Sequence, residues 1–198
     1  MQTITEGRNV NNIWGVYFQN DLLWTWDTIN NFIGALGVSL IVSGMTVKKM
    51  LKYFGLRMFT TFCNWCNITA WVLFSGVGPF SYIPAGARMW IGLIPGAPGG
   101  RKRDAVESLI MKQGSEEGLG RGFISGSLMN FRAIVNMIAP VFFAKMYALG
   151  VKRKTPGLVF FAGACSVLMS EMVWQSMTNQ ELGLGEDGNL IKKEDDKK

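Results

Sequence analysis

The chain has no histidine. That absence removes zinc sites built on imidazole, haem held by a histidine, and histidine acid–base chemistry. Charge is scarce as well. Only 17% of the 198 residues are Asp, Glu, Lys or Arg, against about a quarter in a soluble domain. Cysteine is limited to three. Cys63 and Cys66 form Cys-Asn-Trp-Cys, a spacing that raises a redox question in a soluble domain. Here the pair lies inside an apolar run, on neighbouring helical turns, and reads as two small packing residues. Cys165 lies mid-run and reads as structural. Residues 1–20 have no compact apolar core behind a basic start, so no secretory signal peptide is expected. Paired carboxylates and a nucleophile–base pair are lacking too. Gly118-Leu-Gly-Arg-Gly122 lacks both the Lys-Ser/Thr ending and the preceding strand of a phosphate loop. No enzyme is therefore expected, and no catalytic or metal-ligating residue is assigned.

Apolar and aromatic residues take up what charge leaves. They make up 48% of the chain, with seven Trp, 13 Phe and 12 Met. Between Leu22 and Met177 the apolar runs approach the roughly 20 residues that cross about 30 Å of hydrocarbon. The net charge of +6 does not point to nucleic acid, because Lys and Arg fall mostly between the apolar runs. That placement orients membrane helices. The expected fold is an all-α integral membrane protein with about five transmembrane helices.

Residues 1–25 read as a polar N-terminal segment ending in an interfacial aromatic stretch, with Trp14, Tyr17, Phe18 and Trp24. A five-span membrane domain is expected over 26–177, with spans at about 26–47, 58–77, 80–97, 122–149 and 156–177. Asp27 suits the first span's N-terminus, as a cap or through the helix dipole. A basic connection around Gly55 follows that span, and Gly76-Val-Gly-Pro79 ends the second. The third span carries Pro84 and Pro95, so a kink or a broken helix is expected there. Asp104 to Gln113 suits a helix beyond the bilayer. Residues 178–198 read as a charged, disordered tail.

The stretch Gly118 to Tyr147 organises the rest. Gly122, Gly126 and Asn130 recur at four-residue spacing on one helix face, which suits close helix–helix contact in a membrane. Pro140 lies inside the run, where lipid-embedded helices tolerate it. Gly122, Gly126 and Pro140 are therefore expected to pack against a neighbouring helix.

Orientation follows from basic residues. Lys48, Lys49, Lys52 and Arg57 lie in the first connection, and Arg101, Lys102, Arg103, Lys112 and Arg121 in the third. Five spans put both connections and the C-terminus on one side, read as cytoplasmic or as stromal or matrix. Lys152, Arg153 and Lys154 lie on the other side and oppose that reading.

The run Met111-Lys-Gln-Gly-Ser-Glu-Glu-Gly-Leu-Gly-Arg-Gly-Phe-Ile-Ser-Gly-Ser-Leu128, followed by Ile138-Ala-Pro140 and Phe143 to Tyr147, resembles the C-terminal half of a major facilitator superfamily transporter of the drug–proton antiporter, tetracycline-exporter-like type. The resemblance covers about Ile13 to Trp174. It implies helices eight to twelve, with Ile13 to Leu23 as the end of the seventh. The family's basic loop carries a compact Gly, Asp, Arg, Gly, Arg pattern. Here Gly44, Lys49, Gly55 and Arg57 are stretched and no Asp is present. The substrate path of such transporters lies between two six-helix halves, and the N-terminal half has no counterpart in this sequence.

Polar groups within apolar runs are the candidate site: Arg132, Arg88, Asn30, Asn31, Asn64, Asn67 and Asn136. Arg132 reads either as an anion or proton-coupling contact or as a structural arginine, with Asn136, Ser125, a backbone carbonyl or Glu171 as partner. The structural reading is favoured because the opposite half of any site is absent. Arg88 poses the same choice. The asparagines either line a polar cavity or bridge helices, and bridging is preferred. Lys145 is expected to snorkel. Two functions follow. One is a structural or accessory subunit of a larger membrane assembly, of photosynthetic or respiratory supercomplex type, with pigment or lipid as possible ligands. The other is a half-transporter moving a small solute as a dimer or with a separate N-terminal half. The partners expected are the lipid bilayer and other membrane subunits, not nucleic acid.

Overall fold

A computed structural model describes residues 8–185. Residues 1–7 and 186–198, which hold most of the expected tail, lie outside the described residues. The fold is all-α, with six helices among the described residues: α1 (Arg8–Asn20), α2 (Trp26–Ser75), α3 (Ala85–Gly99), α4 (Lys102–Glu116), α5 (Arg121–Lys152) and α6 (Leu158–Ser176). Three of them, α2, α5 and α6, are long and apolar enough to cross a membrane.

The 50-residue α2 breaks at Gly55, whose φ of 71° and ψ of 169° lie outside the helical region. Glycine reaches this left-handed φ without a Cβ clash. The break folds α2 into two antiparallel arms. Val47, Met50 and Leu51 pack beside Leu56 and Phe59 near the turn. Ile29 and Phe32 share a cluster with Ala70, Trp71 and Phe74 at the far end. The expected basic connection is thus helical almost to Gly55. Thr25 caps the first arm, its Oγ1 accepting from the Thr28 amide at 3.4 Å. Asp27 lies in the first turn, where the helix dipole favours a negative charge. Gly76, at φ 63°, ends the second arm.

The stretch expected as a third span, 80–97, differs most. Gly78–Phe80 form a single 3-10 turn, and α3 starts only after Pro84. Its 15 residues reach about 22 Å at 1.5 Å per residue, short of a hydrocarbon core of about 30 Å. It stays one helix through Pro95 and Pro98. Its C-terminal end is held from outside: the Ser43 hydroxyl donates to the Ala97 carbonyl at 3.1 Å.

Close packing belongs to α3 rather than to the expected face of α5. A Cβ on Gly92 would sit 2.3 Å from the Phe74 ring, and one on Gly99 would sit 2.9 Å from the Asn67 Cβ. Gly96 faces Ala70 between them. These pairs run in opposite directions along the chain, so α3 lies antiparallel on the second arm of α2. Gly122 and Gly126 meet nothing of this chain within 4 Å. No described helix of this chain therefore packs on that face of α5, which points outward. Pro140 is half-buried within α5.

The bundle has two distinct ends. At one, α1 turns its aromatic face inward. Trp14 lies within 6.5 Å, centroid to centroid, of Phe18, Phe32, Trp71, Phe74 and Phe160. The stretch read as interfacial therefore supplies core rings: Tyr17 and Phe18 are buried. The Tyr147 hydroxyl donates to Asp21 at 2.7 Å and ties α5 to this end. At the other end, α4 lays Ala105 and Leu109 beneath the Gly55 turn. The start of the expected disordered tail folds here. Leu182 and Leu184 are buried in the same cluster as Trp174. Thr178 and Glu181 close the turn, with the Thr178 amide donating to the Glu181 carboxylate at 2.7 Å. Arg57 holds the segment by donating to Asn179 Oδ1 at 2.5 Å and to the Met177 carbonyl at 2.8 Å. Two apolar anchors and one basic clamp thus offset the segment's polarity.

A candidate polar centre between the helices

At the Gly55 end the apolar helices enclose two connected kinds of charge. The deeper is a chain of buried polar groups. Lys102, the first residue of α4, is fully buried. Its ammonium donates to the Asn64 Oδ1, and the Asn64 amide donates to the Glu171 carboxylate. Gln175, one turn further along α6, donates to the other Glu171 oxygen at 2.6 Å and to the Thr61 hydroxyl at 3.1 Å. Asn64 is thus a bridge, accepting from a cation through its oxygen and donating to an anion through its nitrogen. Burying either charge alone is costly, so each needs the other and the hydrogen bonds between them.

The shallower group lies between α4 and α5. Glu107 accepts from Arg132 and from Arg103, the latter at 2.8 Å. The Arg103 hydrogen bond, with the charge of Arg132 beside it, holds the Glu107 carboxyl below its ordinary pKa against a smaller opposing effect of burial. A cavity of about 320 Å³ opens between the two groups, with Asn64, Glu107, Arg132, Ser170 and Trp174 among its walls. The Trp174 indole Nε1 is buried there with no hydrogen-bond partner among the described residues.

The expected site residues divide around this centre. Arg132 belongs to it, but its partner is Glu107 of α4 rather than Asn136, Ser125 or Glu171. Asn64 belongs to it as the bridge between α4 and α6. Asn67, three residues on, lies buried against Gly99 and faces a different cavity. Arg88 is at the opposite end, its guanidinium lying where a Cβ on Gly76 would be. Only glycine leaves it that space. Its Nε is buried without a partner among the described residues. Asn30, Asn31 and Asn136 sit on exposed surfaces of α2 and α5, and none of the three lines the cavity beside Arg132 and Asn64.

Sequence reasoning missed Lys102 and Glu107 and misassigned Glu171. Lys102 stands in the run Arg101-Lys-Arg103, which reads as a solvated basic connection. One signal was present: Asn64 and Glu171 both interrupt apolar runs, and each such group requires a polar partner.

No protein-family model, curated protein or solved structure matches this chain.

Proposed function

We propose that this chain is a non-enzymatic, multi-pass integral membrane subunit that docks through α5 onto further protein within the bilayer, as an accessory component of a larger membrane assembly. The observation that carries this reading is the outward face of α5. Of its 32 residues only Ile124, Ala139, Phe143 and Gly150 are buried. Its exposed surface mixes Gly122, Gly126 and Asn130 with Phe131, Ile134 and Met137. Lipid alone is a poor neighbour for small and amide residues, whereas a partner helix approaches closely over glycine and bonds to asparagine. The internal charges support the same reading, because Lys102, Glu171, Arg132 and Glu107 are engaged with one another through the bundle.

In this proposal the two arms of α2, together with α5 and α6, span the bilayer, and α3 enters it in part. The Gly55 turn, α4 and the folded segment after α6 share one side, on which the basic residues of the first and third connections collect. We assign that side to the cytoplasm or to a stroma or matrix.

The second reading is a half-transporter, derived from a major facilitator superfamily ancestor, that moves a small solute with a second half. Its support is the sequence resemblance around Met111 to Leu128 and a cavity bordered by Arg132 and Asn64. Purification from native membrane in mild detergent separates the two. The accessory reading expects the chain in a large complex at fixed stoichiometry, with release when Gly122 and Gly126 are both changed to Leu. A homodimer that moves solute in liposomes, and loses that activity with Arg132→Ala, would overturn it.

A further inference from the structure

A second cavity, of about 590 Å³, lies away from the charged centre, between α1, both arms of α2 and α3. Its volume falls in the range of small-molecule sites, about 300–1,000 Å³. Its walls are aromatic: Trp14, Phe18, Trp26, Phe32, Trp71 and Phe74. Within them Trp14 stacks on Phe32 at 6.0 Å and meets Phe74 edge-on at 4.9 Å. Trp26 and Ile33 stand at the rim, 68% and 55% exposed on an apolar helix. The opening therefore faces the side where lipid belongs. One side chain breaks the apolar lining. Asn67 is only 8% exposed, it borders this cavity, and its amide makes no hydrogen bond to any described residue. Unlike the Trp174 indole nitrogen, its amide atoms keep some accessible surface, so a polar group entering the cavity can hydrogen-bond to them.

We propose that this cavity binds the head group of a membrane-soluble quinone. A flat ring suits walls of stacked and edge-on aromatics. A ring oxygen suits Asn67, whose amide donates to a quinone carbonyl or accepts from a quinol hydroxyl. The hydrophobic tail leaves past Trp26 and Ile33 into lipid. Glycine shapes the space: a Cβ on Gly96 would touch only Ala70, at 3.7 Å, so a larger side chain there projects into the cavity.

Binding of decylubiquinone to the purified full chain in detergent, followed by tryptophan quenching, tests the proposal. The expected result is saturable quenching at one site per chain. Asn67→Ala should weaken binding tenfold or more, and Gly96→Phe should abolish it. Dodecane, which has a tail and no ring oxygen, should not compete. Melting temperature and gel filtration establish that each variant is folded, and Asn67→Ser, which keeps a hydrogen-bonding group on a small side chain, should retain part of the affinity. Non-saturable quenching, equal affinity in wild type and Asn67→Ala, or full competition by dodecane would overturn the proposal; the last outcome marks a cavity for acyl chains.

Discussion

The two ends of the bundle are held together by different physics. At the α1 end the contacts are rings. Trp14 and Phe160 lie among Tyr17, Phe32, Trp71 and Phe74, and apart from the Tyr147–Asp21 hydrogen bond at its edge the contacts are between rings. At the Gly55 end the contacts are ionic and amide, with Lys102, Asn64 and Glu171 buried in series and Arg132 paired to Glu107 outside them. Ring packing is tolerant: its energy is spread over many small contacts. A buried charge series is brittle, since removing one member leaves another without its complement. The difference makes the Gly55 end the more sensitive to single substitutions.

Glu171→Ala is the largest expected effect. It removes the acceptor of both Asn64 and Gln175 while the Lys102 charge stays buried, at a cost of about 3–5 kcal/mol. Thermal unfolding in detergent measures it. The double variant Lys102→Met with Glu171→Leu should recover at least half of the lost melting temperature, because no charge is then left buried. No recovery would mean that local packing, not charge balance, holds this end.

Phe160→Ala comes next, at about 3 kcal/mol for truncating a fully buried ring. The same Ala replacement at exposed Phe161 should cost little. An effect as large at Phe161 would show that the cluster is not a local core.

Glycine gives a sharper contrast. Gly92→Ala places a methyl group against the Phe74 ring and should cost about 1–3 kcal/mol through overpacking. Gly126→Ala meets open space in the chain and should stay within about 0.5 kcal/mol, yet weaken association with a partner. Melting of the isolated chain, beside recovery of the complex on native gels, separates the two effects.

These glycines show what was legible in the sequence. Spacing marks a residue pair as able to face a neighbour, but it does not say which pair has one. Gly122 and Gly126 have the motif spacing and open outward; Gly92, Gly96 and Gly99 sit in a proline-containing run without that regular spacing and carry the contact. The helical fold was legible because apolar runs and breakers are local signals. Gly55 and Gly76 mark the ends of the two arms of α2 through backbone conformations that few other residues adopt. The polar centre was half legible. Arg132 and Asn64 stand out against apolar neighbours, whereas Lys102 is masked by Arg101 and Arg103 on either side. Its burial depends on α4 folding back under the bundle, a tertiary event without local signature. The same holds for Leu182 and Leu184, two leucines in a charged tail whose anchor partners lie on other elements.

A smaller expected effect concerns the outer ion pair, and it bears most directly on the comparison of the two ends. Arg132→Ala removes a partner of Glu107, but the Glu107 side chain is 35% exposed and Arg103 stays bound to it. Solvent screening limits the cost to about 1 kcal/mol or less, and added salt should reduce it further. Acid gives the sign. Glu107 titrates below its ordinary range in the folded chain, so its stabilising effect is present above the unfolded value of about 4.3 and is lost as pH falls through the folded value. Arg132→Ala should therefore flatten the decline of melting temperature between about pH 5 and pH 3. Phe160→Ala should lower the melting temperature by a similar amount at pH 7 and at pH 4, since no ionisable partner is removed from the ring. Equal pH slopes in wild type and Arg132→Ala would show that Arg103 alone sets the Glu107 charge and that Arg132 serves the cavity wall instead.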